Sequence, residues 1–373
     1  MTVERDIAGF ALPFAAGTAA AVYAGTSFGS IIACIITTLL LAVPWIMLIS
    51  PIRRELPPAA TWTAIGLTAL GAGALCGVIA NETSVSDMAG RGLAAIAGKA
   101  GEAMERAADG IQFKDPRTNA FIKAVLTGER SGMPADVTDA FRESGASHIL
   151  ALSGLHLGVI YMMTGKILAV IGSGPAAARV KSLLTVLFCG FYTLATGAGP
   201  SIVRAFLFIV LNEAAKLYGR YRSTGNTLMA ALIIHLCISP SDIRSVGFQL
   251  SYAAMAGIAF IFPYLKEMWP EEKSEGLAAK VISRPMRRIW NSAAMSIACQ
   301  ITTGPVAFLY FGTFPKYFLL TNLIALPLTG IIMPAGAATL VLSGAGICPD
   351  LLVRITEWLT GLLIRALEII SLM

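Results

Sequence analysis

An all-α, polytopic transmembrane helix bundle is the fold this sequence predicts, and three observations predict it. Hydrophobic residues make up 56% of the 373 and charged residues only 13%, far from the balance of a soluble domain. Mean hydropathy is +0.72. Apolar runs approaching or exceeding the roughly 20 residues that cross a hydrocarbon core recur along the chain.

Taken in order, candidate spans lie near 9–25, 29–49, 60–80, 149–171, 183–198, 202–217, 226–239, 246–263, 291–312, 318–345 and 351–372. That makes about 10–11 spans, because Gly197-Ala-Gly-Pro200 leaves 183–217 as either two helices or one broken helix. Pro327 and Pro334 inside the 318–345 run predict a kinked or re-entrant segment. The first run follows Glu4-Arg5-Asp6 and is expected to be retained as a span rather than cleaved as a signal.

The net charge of +6 does not by itself point to nucleic acid, because membrane proteins place Lys and Arg on the cytoplasmic side. With the N-terminus inside, the cytoplasmic loops hold Arg53 and Arg54, Arg179 and Lys181, and Lys216, Arg220 and Arg222. A further basic group runs from Lys266 to Arg288, whereas the opposite short loops hold little beyond Arg244 and Lys316. The N-terminus is therefore expected in the cytoplasm. The six cysteines are scattered through apolar runs without a CxxC, the pattern of small buried hydrophobes.

Three blocks follow: a three-span group at 1–80, a polar segment at 81–148, and the main apolar bundle at 149–373. In the middle block, 88–108 reads as an amphipathic helix with Ile96, Ala100, Met104 and Ala108 at helical spacing. Shorter helices are expected at about 116–126, after Asp115, and at 135–144. Such a segment is either a solvated helical hairpin on the membrane surface or an interfacial element framing a pore.

Polar residues inside apolar runs are costly and are usually retained for function. His148-Ile-Leu-Ala-Leu-Ser-Gly-Leu-His156 places two of the three histidines at the mouth of such a run. On one helix His148 and His156 stand about 12 Å apart along the axis, too far to share a metal ion. Ser153 is three residues before His156, which allows a Ser–His contact, yet Ala151-Leu-Ser-Gly-Leu155 departs from the G-x-S-x-G elbow of a serine hydrolase. Ser153 and Gly154 also suit close helix packing. Neither a metal nor another cofactor is expected, nor a catalytic role.

Four further clusters have the same character: Ser201 with Arg204, Gln249 with Ser251, Gln300 with Thr302 and Thr303, and Asn322. Interhelical hydrogen bonding explains any one of them. If they converge, they line a path, and Arg204 then calls for a carboxylate partner or an anionic cargo. Glu213 and Lys216 read as a local pair.

These same residues carry a family resemblance. Phe141-Arg-Glu-Ser-Gly-Ala-Ser-His-Ile-Leu-Ala-Leu-Ser-Gly-Leu-His-Leu-Gly158 resembles the signature of the ComEC/Rec2 competence proteins. Gly197 to Ala205 resembles a second motif of that family and Asp242 to Tyr252 a third. Gln300 with Pro305, Tyr310-Phe311, and Asn322 with Pro327 match its later spans in order. The resemblance runs from about Gly92 to Leu342 and implies an inner-membrane channel passing single-stranded DNA during natural transformation. His148, Ser153, His156, Ser201, Arg204, Gln249, Ser251, Gln300 and Asn322 are then expected to line the channel or bind cargo. The implied partners are single-stranded DNA, the lipid bilayer, a DNA receptor, a cytoplasmic translocation motor and a separate nuclease. Larger members are similar to a three-part design with an OB-like and a metallo-β-lactamase-like domain. The 81–148 segment is too short and helical for the first, and no H-x-H-x-D-H cluster is present for the second. A transporter or flippase for a smaller anionic cargo on the same scaffold is the alternative expectation.

Overall fold

The computed structural model describes residues 2–24, 58–82, 86–111, 113–219, 223–269 and 283–373. Those residues are all-α, with no strand among them. Among the described residues, six helices are long and apolar enough to cross a membrane: Ile7–Ala24, Gly154–Ile171, Pro175–Ala195, Val246–Glu267, Pro285–Phe311 and Phe318–Gly344. Two shorter apolar stretches, Ile65–Ile79 and Thr224–Ile238, join them. The expected span at 29–49 lies outside the described residues.

The chain divides into two compact units, one of residues 1–92 and 207–252, the other of 93–206 and 253–373. In the first, the helix Thr2–Ala24 packs along the helix Pro58–Glu82 at a distance that only glycine allows. A Cβ on Gly17 would stand 1.9 Å from the Leu70 carbonyl oxygen, and one on Gly73 would stand 1.9 Å from that of Phe14. Gly77, four residues after Gly73, meets Ala21 and Thr18 in the same way, so a small-xxx-small ridge brings the two backbones together.

The second unit is built on a core that joins distant parts of the chain. The helix Pro116–Thr127 is capped by Asp115, whose side chain accepts from the Arg117 N–H at 2.9 Å, and it ends at Gly128 with φ 88°. It buries Phe121, Ile122, Val125 and Leu126 against Ile332 and Met333 of the helix Phe318–Gly344 and Leu363, Ile364 and Leu367 of the helix Asp350–Ser371. The Phe121 ring lies 5.5 Å from that of Phe141, on the helix Ala135–Glu143. This stretch is therefore not a wholly solvated hairpin. One face of each helix is core, while Arg117 reaches Asp136 at 2.6 Å and Glu368 at 3.0 Å on the half-exposed side.

The helices decide several of these readings. The helix Asp350–Ser371 is amphipathic rather than uniformly apolar. Asp350, Arg354, Glu357, Arg365 and Glu368 recur at helical spacing, while Thr356, Thr360, Leu363 and Leu367 are buried. Of the kinked and re-entrant readings, the 318–344 stretch favours the first: it is one helix of spanning length with Pro327 and Pro334 inside it. The 183–217 region is two helices, Pro175–Ala195 and Pro200–Leu217. Gly197 at φ 83° and Ala198 at φ 48° make the turn between them, the Ala198 N–H closing onto the Thr193 carbonyl at 2.9 Å. Glu213 and Lys216 do form a local pair.

One tertiary hydrogen bond fixes the approach to the polar stretch. Buried Thr321 donates its hydroxyl to the carbonyl of buried Ser144 at 2.7 Å. Thr321→Val keeps the shape and orphans that carbonyl, so a loss of about 1–2 kcal/mol is expected, read as a lowered melting temperature of the purified protein.

Candidate functional site

The polar stretch is not a single helix. Ser147–Leu150 forms one turn, Ala151 and Leu152 are extended or irregular, and a new helix runs from Gly154 to Ile167. His148 and His156 therefore belong to different helices, and the spacing expected for one continuous helix does not apply. The break arises because Ser153 takes an extended conformation (φ −131°, ψ 173°) and caps the second helix.

That cap explains the Ser–His contact. Ser153 Oγ accepts from the Leu155 N–H at 3.3 Å, and His156 Nδ1 lies 3.2 Å from the Ser153 N–H and 3.0 Å from Ser153 Oγ. With Nδ1 accepting from the backbone, the ring of neutral His156 carries its proton on Nε2. Such a reciprocal arrangement is a capping box with histidine in the place usually held by Glu or Gln. His156 is fully buried, its Nε2 makes no formed hydrogen bond, and the Ile149 backbone interacts with the ring. His148 by contrast is exposed, with Nδ1 3.2 Å from the Gly145 carbonyl.

Arg204 approaches the start of this helix. It sits one turn into the helix Pro200–Leu217 and is only 7% exposed. Its Nη2 would lie 3.1 Å from a Cβ on Gly154, so the absence of a side chain there makes room for the guanidinium. Arg204 is within electrostatic range of Cys299, the residue before Gln300, and both His148 and Arg130 are within range of His156. Half-buried Ser201 stands three residues before Arg204, on the same face of its helix. Buried Arg204 thus stands against the start of the helix that Ser153 caps.

The other expected site residues lie elsewhere. Gln300 lines an open, mostly apolar cleft of about 510 Å³ with Gly304, Pro305, Phe308, Phe314 and Phe318. Asn322 is half-buried, and its Oδ1 is enclosed without a hydrogen bond. Gln249 and Ser251 belong to the first unit, where Gln249 donates to the Ile243 carbonyl at 2.9 Å and to the Tyr23 hydroxyl at 3.3 Å. Ser251 is buried there.

Two groups escaped the sequence reading. Arg130 lines a cavity of about 210 Å³ with Arg142, Thr138 and Ser147, just before the helix break. In the first unit, fully buried His235 places Nε2 3.1 Å from Asp242 Oδ2 and Nδ1 3.2 Å from the Tyr252 hydroxyl. For a neutral ring the network assigns Nε2–H as donor to the carboxylate and Nδ1 as acceptor from the tyrosine. The available signal was Asp242 following His235 by seven residues across the Pro240 turn. Among the described residues no three His, Cys, Asp or Glu side chains are grouped as for a metal ion.

Apolar helices of spanning length and buried polar groups define a multi-pass α-helical membrane protein. The sequence model of the family described as "Competence protein" matches residues 125–373, two-thirds of the chain, and the chain belongs to that family. It is 24% identical over 228 residues to ComE operon protein 3 of Bacillus subtilis, covering 61% of this chain and 27% of that one. It is 25% identical over 236 residues to the uncharacterized protein YcaI of Escherichia coli, 61% of this chain and 30% of that one. An uncharacterized Aquifex aeolicus protein shares 26% identity over 151 residues, 40% of this chain and 35% of that one. The chain thus spans about a third or less of each of these relatives. No solved structure matches.

Proposed function

We propose that this chain is the membrane conduit through which single-stranded DNA enters the cytoplasm during natural transformation, acting without catalysis of its own. The observation that carries the proposal is buried Arg204 placed against Gly154, at the start of the helix capped by Ser153 and His156, within the family-matched segment. A strand's phosphates favour cations along the path, and passage of any sequence favours stacking and small polar groups over base-edge readout. In this reading the chain lies in the inner membrane with its N-terminus in the cytoplasm. A DNA receptor delivers the strand, a separate nuclease prepares it and a cytoplasmic motor draws it in.

A buried cation equally suits a transporter of a smaller phosphate-bearing anion, and one experiment separates the two. Deleting the gene in its host is expected to abolish recovery of transformants from marked linear DNA while leaving growth on phosphorylated metabolites unchanged. Normal transformation in the deletion strain would sink the DNA reading.

A further inference from the structure

Two thiols meet in the first unit. Cys76 lies on the 58–82 helix, and Cys237 is the penultimate residue of the helix Thr224–Ile238. Cys76 Sγ donates to the carbonyl of Leu236, the residue before Cys237, at 3.4 Å, and this brings the two thiols within interaction range of each other. Both are free thiols; Cys237 is exposed and Cys76 half-buried. Small buried hydrophobes do not need this arrangement. Two helices distant in sequence have brought thiols together, one of them open to solution or headgroups at a helix end. No metal-binding cluster among the described residues claims them.

We propose that Cys76 and Cys237 are a dithiol–disulfide pair that closes under oxidising conditions and ties the ends of two helices together. The charges that precede these helices say where they end. Arg53 and Arg54 stand before the first, and Lys216, Arg220 and Arg222 before the second. If basic residues stay inside, both helices start at the cytoplasm and run outward. Both cysteines then sit toward the outer face, the side on which disulfides form and persist. That placement rests on the orientation proposed above; the thiol contact does not.

Closure needs an external disulfide, either a small-molecule disulfide or a thiol–disulfide oxidoreductase. The Cys237 thiolate attacks one sulfur of the oxidant, breaking its S–S bond and releasing one of its sulfurs as a thiol. Cys76 then attacks the mixed disulfide at Cys237, forming the Cys76–Cys237 bond and releasing the oxidant's second thiol. Two electrons and two protons pass from the pair to the oxidant, which leaves as a dithiol or as two thiols.

The test uses the full chain in opened membranes, so that access does not depend on orientation and failure of the DNA reading leaves the result untouched. Membranes are incubated with oxidised glutathione or with dithiothreitol, dissolved in detergent with N-ethylmaleimide, digested and mapped by mass spectrometry. A peptide joining Cys76 to Cys237 is expected after oxidation, with alkylation of both residues at least tenfold below the reduced sample. Cys237→Ser is expected to leave Cys76 fully alkylated under the same oxidation. Two results would overturn the proposal: unchanged alkylation of both thiols, or linkage of either to another cysteine or to a second copy of the chain.

Discussion

Gly17→Val is expected to destabilise the protein by more than about 3 kcal/mol, because overpacking here meets backbone instead of a side chain that can swing away. The added Cβ would lie 1.9 Å from the Leu70 carbonyl oxygen and 2.9 Å from the Ala74 nitrogen. Relief requires the 2–24 and 58–82 helices to separate along their length, which forfeits the paired contacts of Gly73 with Phe14 and of Gly77 with Ala21. Gly73→Val is expected to behave the same way from the other side. Gly158→Ala is the control: nothing lies within 4 Å of the added carbon, and helix propensity favours the alanine by up to about 1 kcal/mol. Melting of the purified proteins in one detergent checks all three. Wild-type stability in Gly17→Val would contradict the close packing.

Arg204→Ala is expected to lower transformation about a hundredfold, equivalent to about 2.7 kcal/mol at the passage step. The side chain is buried at a helix start beside Gly154, where screening by water is weak and a cation acts strongly on phosphate. Arg204→Lys retains the charge but not the planar fork and is expected to recover part of the loss. Arg142→Ala removes a cation from the exposed face of its helix, where it pairs with Asp139 at 2.9 Å, and is expected to stay within a few-fold of wild type. Transformant counts are read beside the membrane level and melting point of each variant. An Arg204→Ala protein present at the normal level and transforming normally would remove Arg204 from the path.

Helices whose ends carry local signals were legible in the sequence. Asp115 before Pro116 gave the start of the 116–127 helix, and the 135–144 and 88–108 patterns fall within a residue or two of Ala135–Glu143 and Ser86–Asp109. Where polar side chains served the backbone, the reading failed. Ser153 looked like a polar residue within a span, yet it ends the run from His148 by capping a new helix. The 351–372 run looked apolar on average, and only the stripe from Asp350 through Glu368 shows that one face is not. Contacts between distant segments left no trace in spacing. Nothing near Cys76 announces Cys237, and nothing near His235 says that Asp242 and Tyr252 will close on both of its ring nitrogens. The expected site was legible as residue types and only partly as an assembly. Ser153 and His156 meet and Arg204 lies against Gly154 beside them in the chain, whereas Gln249 and Ser251 belong to the other unit.

The core of the second unit sets the order in which the protein can mature. Phe121 and Phe141 precede Leu363, Ile364 and Leu367, which share their core, by more than 200 residues. Until the 350–371 helix is made, the part of the 116–127 and 135–143 helices that it covers stays open. Contacts of such long sequence separation form slowly and leave aggregation-prone surface exposed meanwhile. The amphipathic 350–371 helix closes over a core whose other walls are already in place, and a chain stalled before residue 350 would carry that apolar face open.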